Sequence, residues 1–236
     1  MKVNDELTIL ELPLSFGGAT RIMNLSLITD EDHGLTIVDT GVPGQIDLIE
    51  KALEAEGFAL ADIKHIVITH QDFDHIGSLH PLKERTGAPV YALDIEVPYI
   101  EGRLRSVKYP SPERLAQMPE FAAALESLQR STVDVQLTDG QTLDNSAGAQ
   151  VVATPGHTLG HMSLYLPRTK TLIVGDAMVS DSGKLDGPME QATPDMATAK
   201  QSVAKLAELD VDTILCYHGG LVTDDASGQL KQVAAS

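Results

Sequence analysis

Positive charge is scarce in this chain of 236 residues: 17 Lys and Arg stand against 34 Asp and Glu, a formal net charge of −17. Phosphate backbones and anionic membrane surfaces are gripped by clustered cations, so neither nucleic acid nor a membrane is expected as a partner. Cysteine is almost missing as well. The lone Cys216 excludes an intrachain disulfide and suits a reducing compartment. No window approaches the ~18 apolar residues that a membrane span needs. Met1 to Glu6 lead into no long apolar stretch behind a basic region, so no secretory signal is visible. The expectation is a cytoplasmic protein. Low-complexity tracts and short-period repeats are absent too, and an apolar fraction of 42% is enough for a real core.

What is present is a series of strand-length runs rich in Val, Ile, Leu and Thr. They are Leu7–Leu12, Met23–Thr29, Leu35–Asp39, Ile63–Thr69, Val90–Leu93, Gln150–Thr154, His161–Leu166, Thr171–Gly175 and Thr213–Tyr217. Helical patterns lie between them. Gln45–Glu56 carries Ile46, Ile49 and Leu53 on one stripe with Gly57 as its stop, and Gly77–Arg85 follows later. Pro112–Gln129 has a helical composition that Pro119 should break. Asp195–Leu209 starts on a capping Asp. The pattern predicts an α/β protein in one domain over residues 1–236, in two halves separated by a helical insertion at about 94–130. The tail after Leu221 is polar and reads as loose.

The chemistry is concentrated in Thr69-His70-Gln71-Asp72-Phe73-Asp74-His75, where four metal-capable side chains follow an apolar strand. Carboxylates this close repel one another, and a bound cation is the usual way to hold them together. Three later segments each put one His or Asp at the end of another apolar run: Thr154-Pro155-Gly156-His157, Gly175-Asp176-Ala177 and Tyr217-His218-Gly219-Gly220. A single histidine at a strand end is usually structural. That many ionisable groups at strand ends would be costly without a partner. Gly77, Gly156 and Gly160 read as tight turns beside these groups. His161 reads as a supporting residue, Cys216 as a small buried apolar one, and His33, His65 and His80 as ordinary. Lys184 is either a contact for an anionic substrate or a solvated lysine.

Taken together these segments resemble the metallo-β-lactamase superfamily, whose pattern is His-x-His-x-Asp-His followed by a His, a bridging Asp and a late His. The resemblance spans Leu7 to Gly220. It implies a four-layer αββα sandwich with a metal site at one edge. It also implies two divalent ions, zinc first, with iron or manganese as alternatives. The first would be held by His70, Asp72 and His157, the second by Asp74, His75 and His218, with Asp176 bridging. Asp39, in Val38-Asp39-Thr40-Gly41, would support the site from behind. One position departs from the family pattern: Asp72 stands where histidine is usual. A carboxylate is a harder ligand and adds a negative charge, which shifts preference from zinc towards iron or manganese.

The resemblance further implies a hydrolase. Two cations about 3.5–4 Å apart lower the pKa of a shared water from about 15.7 towards ~7, so hydroxide is present at neutral pH. Asp74 would steer its proton. The bond attacked would be a lactone, thioester, β-lactam or phosphodiester, and a cytoplasmic lactonase or thioester hydrolase fits the missing leader and the acidity better than a β-lactamase or nuclease. Asp72 leaves two alternatives open: a metal-binding regulatory protein without turnover, and a mononuclear iron enzyme that uses oxygen on the same scaffold.

Overall fold

The computed structural model describes residues 1–16 and 19–236. The first half runs β1 (Leu7–Phe16), β2 (Ala19–Asp30), β3 (Gly34–Val38), α1 (Ile46–Ala55), β4 (Ile63–Val67), α2 (Phe73–Ile76), α3 (Leu79–Thr86), β5 (Val90–Leu93), three short helices and β6 (Val135–Leu137). The three helices are α4 (Val97–Ile100), α5 (Pro112–Leu115) and α6 (Pro119–Ser127). The second half runs β7 (Thr142–Leu143), β8 (Ala149–Ala153), β9 (Met162–Leu166), β10 (Thr171–Gly175), β11 (Val179–Asp181), β12 (Lys184–Asp186), α7 (Met196–Leu206), β13 (Thr213–Cys216), β14 (Gly220–Val222) and α8 (Ala226–Ala234).

Two six-stranded sheets result, ordered β1-β2-β3-β4-β5-β6 and β14-β13-β10-β9-β8-β7, with β11 and β12 as a separate hairpin. Strands β3 to β6 run parallel. The connections between β3 and β5 pass through α1 and α3, as a parallel crossover requires.

Three buried clusters define the layers. Ile46, Ile49 and Leu53 of α1 and Leu79 and Leu82 of α3 pack on one face of the first sheet, against Leu25, Ile37 and Ile66. The facing sides of the two sheets meet through Ile9, Val38, Val67, Leu164, Ile173 and Leu215. Val203 and Leu206 of α7, with Leu230 of α8, cover the outer face of the second sheet at Leu172, Val174 and Ile214. Each fully buried Leu or Ile contributes about 1.5–3 kcal/mol. The architecture is the expected four-layer αββα sandwich.

Local rules account for the element ends. Gly57 adopts φ 84° and closes α1, its N–H reaching the Glu54 carbonyl at 3.0 Å. The Asp195 carboxylate caps α7, accepting the Thr198 N–H at 3.0 Å. The helical stretch from Pro112 is interrupted ahead of Pro119, giving α5 and α6.

Two expectations need correction. The tail after Leu221 is ordered: β14 pairs with β13, and α8 buries Ala226 and Leu230. Its polar composition reflects the outward face of an amphipathic helix. Gly77 is not a tight turn either, since its φ is that of an ordinary helix, −61°. It is needed for close approach, because a Cβ there would lie 2.2 Å from the Val42 carbonyl carbon. Gly156 is the turn that was expected, at φ 132°, with the backbone of Ala199 against it.

Candidate metal centre

The fold delivers the chemical residues to one edge of the sandwich. His70 and Asp72 follow β4, Asp74 and His75 lie in α2, His157 lies between β8 and β9, Asp176 follows β10, and His218 follows β13. All seven residues singled out in the sequence converge. Three groups have donor atoms within 4.8 Å of one another: His70, Asp72 and His157; Asp74, His75 and His218; and His70, His75 and Asp176.

Asp176 stands between the first two groups. Its Oδ2 lies 3.3 Å from His157 Nε2 and 3.7 Å from His218 Nε2, while its Oδ1 lies 3.4 Å from His75 Nε2. Asp72 Oδ2 is 3.1 Å from His157 Nε2 and 3.4 Å from His70 Nε2. Asp74 Oδ2 is 3.4 Å from His218 Nε2.

Hydrogen bonds behind the cluster fix which imidazole nitrogen faces inward. The Asp39 carboxylate accepts the Thr69 N–H at 2.9 Å, the Thr69 hydroxyl at 2.8 Å and His75 Nδ1–H at 2.8 Å. With its proton committed to Asp39, the Thr69 oxygen accepts His70 Nδ1–H at 3.0 Å. These bonds hold the Nδ1 protons in place, so that each Nε2 points at the centre and offers its lone pair there whenever the ring is neutral. Asp39 thus has the supporting position expected of it, in a left-handed backbone conformation of φ 65° that is strained for a non-glycine residue.

His161 is a support and not a donor to the centre. Its Nδ1 bonds the Thr154 hydroxyl at 2.8 Å, and its Nε2 accepts the Asp176 N–H at 3.0 Å, so it holds the Asp176 backbone in place. Burial, followed by the neighbouring His157, pushes its pKa down to about 3 and keeps the ring neutral. Cys216 is fully buried, with burial pushing its thiol up to about 12. It packs as a small apolar residue.

The electrostatics show a cluster that wants positive charge. Burial opposes ionisation of Asp72, yet its contacts with His157, His70 and Lys108 hold its carboxyl well below the ordinary range. Asp176 is held low in the same way by His75, His218 and His157. Burial would lower the pKa of His75, but Asp176 and Asp39 outweigh it and raise it well above the ordinary imidazole value; Asp176 and Asp74 raise His218. His70 moves down, through burial and the adjacent His75. In addition, His70 Nε2, Asp72 Oδ1, His75 Nε2 and Asp176 Oδ1 are buried without a hydrogen-bond partner. Buried polar atoms rarely go unpaired. A mixed imidazole and carboxylate set with such inward atoms fits divalent cations.

Two residues with no local signal in the sequence shape the site. Glu96, fully buried at the start of α4, accepts the Gln71 N–H at 2.9 Å, the Thr158 hydroxyl at 2.8 Å and the Gly160 N–H at 2.8 Å. It ties the loop of His70 and Asp72 to the loop of His157. The second is Lys108, between α4 and α5, whose ammonium contacts Asp72 Oδ2 and lies 2.6 Å from His157 Nε2. Lys184, the lysine considered from the sequence, is exposed on β12.

Above the cluster is a cavity of about 500 Å³ with Asp72, Asp74, Asp176 and His218 at its floor. Its walls are largely apolar, built by Phe73, Tyr109, Met118 and Phe121 among others. Three of these come from the segment between β5 and β6.

The family model of the metallo-β-lactamase superfamily matches residues 20–218. The chain belongs to the metallo-β-lactamase superfamily. It is a metallo-hydrolase of that superfamily. It is 32% identical over 226 residues to the probable metallo-hydrolase YflN of Bacillus subtilis, covering 86% of this chain and 83% of the relative. It is also 32% identical over 171 residues to the hydroxyacylglutathione hydrolase of Brucella ovis, covering 72% of this chain and 52% of that protein. Among solved structures, a metallo-β-lactamase family protein from Thermus thermophilus superposes with a TM-score of 0.72 at 22% identity, over 98% of this chain and 78% of the other. No helix among the described residues is long and apolar enough to cross a membrane.

Because Glu96 joins two donor-bearing loops through three hydrogen bonds, Glu96→Gln puts an amide nitrogen where one N–H or O–H needs an acceptor. Hydrogen bonds to a charged group are worth about 1.5–3 kcal/mol, and the variant should lose that much unfolding free energy in urea titration. An unchanged midpoint would show that Glu96 does not hold these loops.

Proposed function

We propose that this protein hydrolyses a small, largely apolar ester-like substrate at a two-cation centre. His70, Asp72 and His157 would hold one divalent ion and Asp74, His75 and His218 the other, with Asp176 placed to serve both. The observation that carries this reading is the position of Asp176, whose two carboxylate oxygens face histidines of both groups. When bound, such a pair of cations supplies hydroxide at neutral pH and polarises the bond to be broken.

The chain's own residues do the rest. Asp74, at the cavity floor, would steer the proton of the attacking water. Asp39 and Thr69 keep the proton of His75 and His70 on Nδ1. His161 holds the Asp176 backbone. Phe73, Met118 and Phe121 exclude water from the apolar part of the substrate.

The cavity volume suits a small molecule, and its apolar wall suits an acyl chain better than a phosphodiester. Resemblance to a hydroxyacylglutathione hydrolase supports an acylated thiol, so thioesters and lactones lead the candidates. Zinc is the first candidate metal, with iron or manganese served by the extra carboxylate at Asp72. A cytoplasmic setting and a small-molecule partner, with neither nucleic acid nor membrane, agree with the acidic composition.

Elemental analysis with lactone, thioester, cephalosporin and aryl phosphodiester substrates tests this reading. About two divalent ions per chain and turnover of a thioester or lactone are expected. Asp176→Ala should lose both ion retention and turnover, and full activity in that variant would remove Asp176 from its bridging role. A second expectation concerns protons. In the ion-free protein the raised pKa values of His75 and His218 favour protonation at neutral pH, so an incoming cation must displace protons there. Calorimetric loading at pH 7 should therefore depend on the ionisation enthalpy of the buffer, and ion affinity should fall as pH falls. Loading with no buffer dependence would contradict these proton assignments.

A further inference from the structure

Lys108 is the cation already inside the site. Its side chain is 14% exposed and that of Asp72 is 13% exposed, whereas Lys205 and Lys170 pair with exposed acids at the surface. Its ammonium donates to Asp72 Oδ2 and to His157 Nε2. These are two of the three donor residues of the first group, through the atoms that face its centre. The Nε2 of a neutral imidazole has one lone pair. His157 can give it to the Lys108 ammonium or to a metal ion, and not to both. Asp72 adds the negative charge that makes an ammonium favourable at this point. Among the described residues, no lysine or arginine forms an ion pair with Asp74 or Asp176.

We propose that Lys108 is a built-in competitor for the first half of the metal centre, so that the Asp74, His75 and His218 half fills first and the other half loads only when Lys108 swings away. This rests on the proposed metal centre and adds an order of filling to it. The cavity that Lys108 itself lines gives the side chain room to turn. With Lys108 in place, positive charge stands against Asp72 and opposes a second cation on the same oxygen.

The experiment is titration of the ion-free protein with Zn²⁺ against a chromophoric chelator, with calorimetry in parallel. The wild-type protein should bind one ion tightly and a second about tenfold or more weakly. Lys108→Met, which keeps the stem and removes the charge, should tighten the weaker event until the two affinities differ by no more than about threefold. Lys108→Arg should keep the gap. Should the methionine variant not fold, Lys108→Gln makes the same test. Two equal affinities in the wild type, or a gap unchanged in the uncharged variants, would overturn the proposal. The readout is ion affinity. A loaded protein that hydrolyses no substrate would thus reject the proposed reaction while the filling order stands, and a protein that binds no ion would reject both.

Discussion

Three carboxylates and four histidines share a space in which neighbouring carboxylate and imidazole donor atoms lie 3.1 to 3.7 Å apart, beneath a largely apolar cavity. Charges so placed are stable only if positive charge stands among them. Without an ion, the protein supplies it by raising the proton affinity of His75 and His218 and by sending Lys108 down to Asp72. Each of these is a substitute for what a divalent cation does better, because the inward atoms of His70, Asp72, His75 and Asp176 stay unpaired. The remaining features of the molecule follow from keeping this cluster assembled.

The fold meets that demand by taking donors from strand ends in both sheets. β4 brings the first cluster from one sheet, and β8, β10 and β13 bring His157, Asp176 and His218 from the other. The sheets are joined by a buried apolar layer, so the donors inherit the rigidity of the core. Polar ties add orientation. Asp39 fixes His75 and Thr69, His161 fixes Asp176, and Glu96 fixes the loops of His70 and His157 to each other. The segment between β5 and β6 is less constrained by this scaffold. It supplies much of the apolar cavity wall together with Lys108, so the proposed substrate contacts and the proposed control of ion loading both lie there.

Much of this was legible in the sequence where the signal is local. Strand-length apolar runs followed by His and Asp marked the seven candidate donors that the fold brings together, and Gly57 and Asp195 marked helix ends. Asp39 was legible only through family resemblance, since its contacts with Thr69 and His75 cross 30 and 36 residues. Glu96 and Lys108 were not legible at all. A glutamate beside Ile95 and a lysine beside Val107 look like solvated surface charges, and only the tertiary fold carries them 62 and 49 residues along the chain to Thr158 and His157. The same limit hid β14 and α8, whose apolar residues are too few to stand out until β13 and α7 pack against them.

The proposed centre requires positive charge at two points among these side chains. Anomalous diffraction from crystals grown with excess zinc tests it most directly. The account predicts one peak among Asp74, His75, His218 and Asp176, and a second among His70, Asp72, His157 and Asp176 with Lys108 turned away. Zinc absent from both places, with Lys108 still on Asp72 and ions bound only elsewhere on the surface, would contradict it.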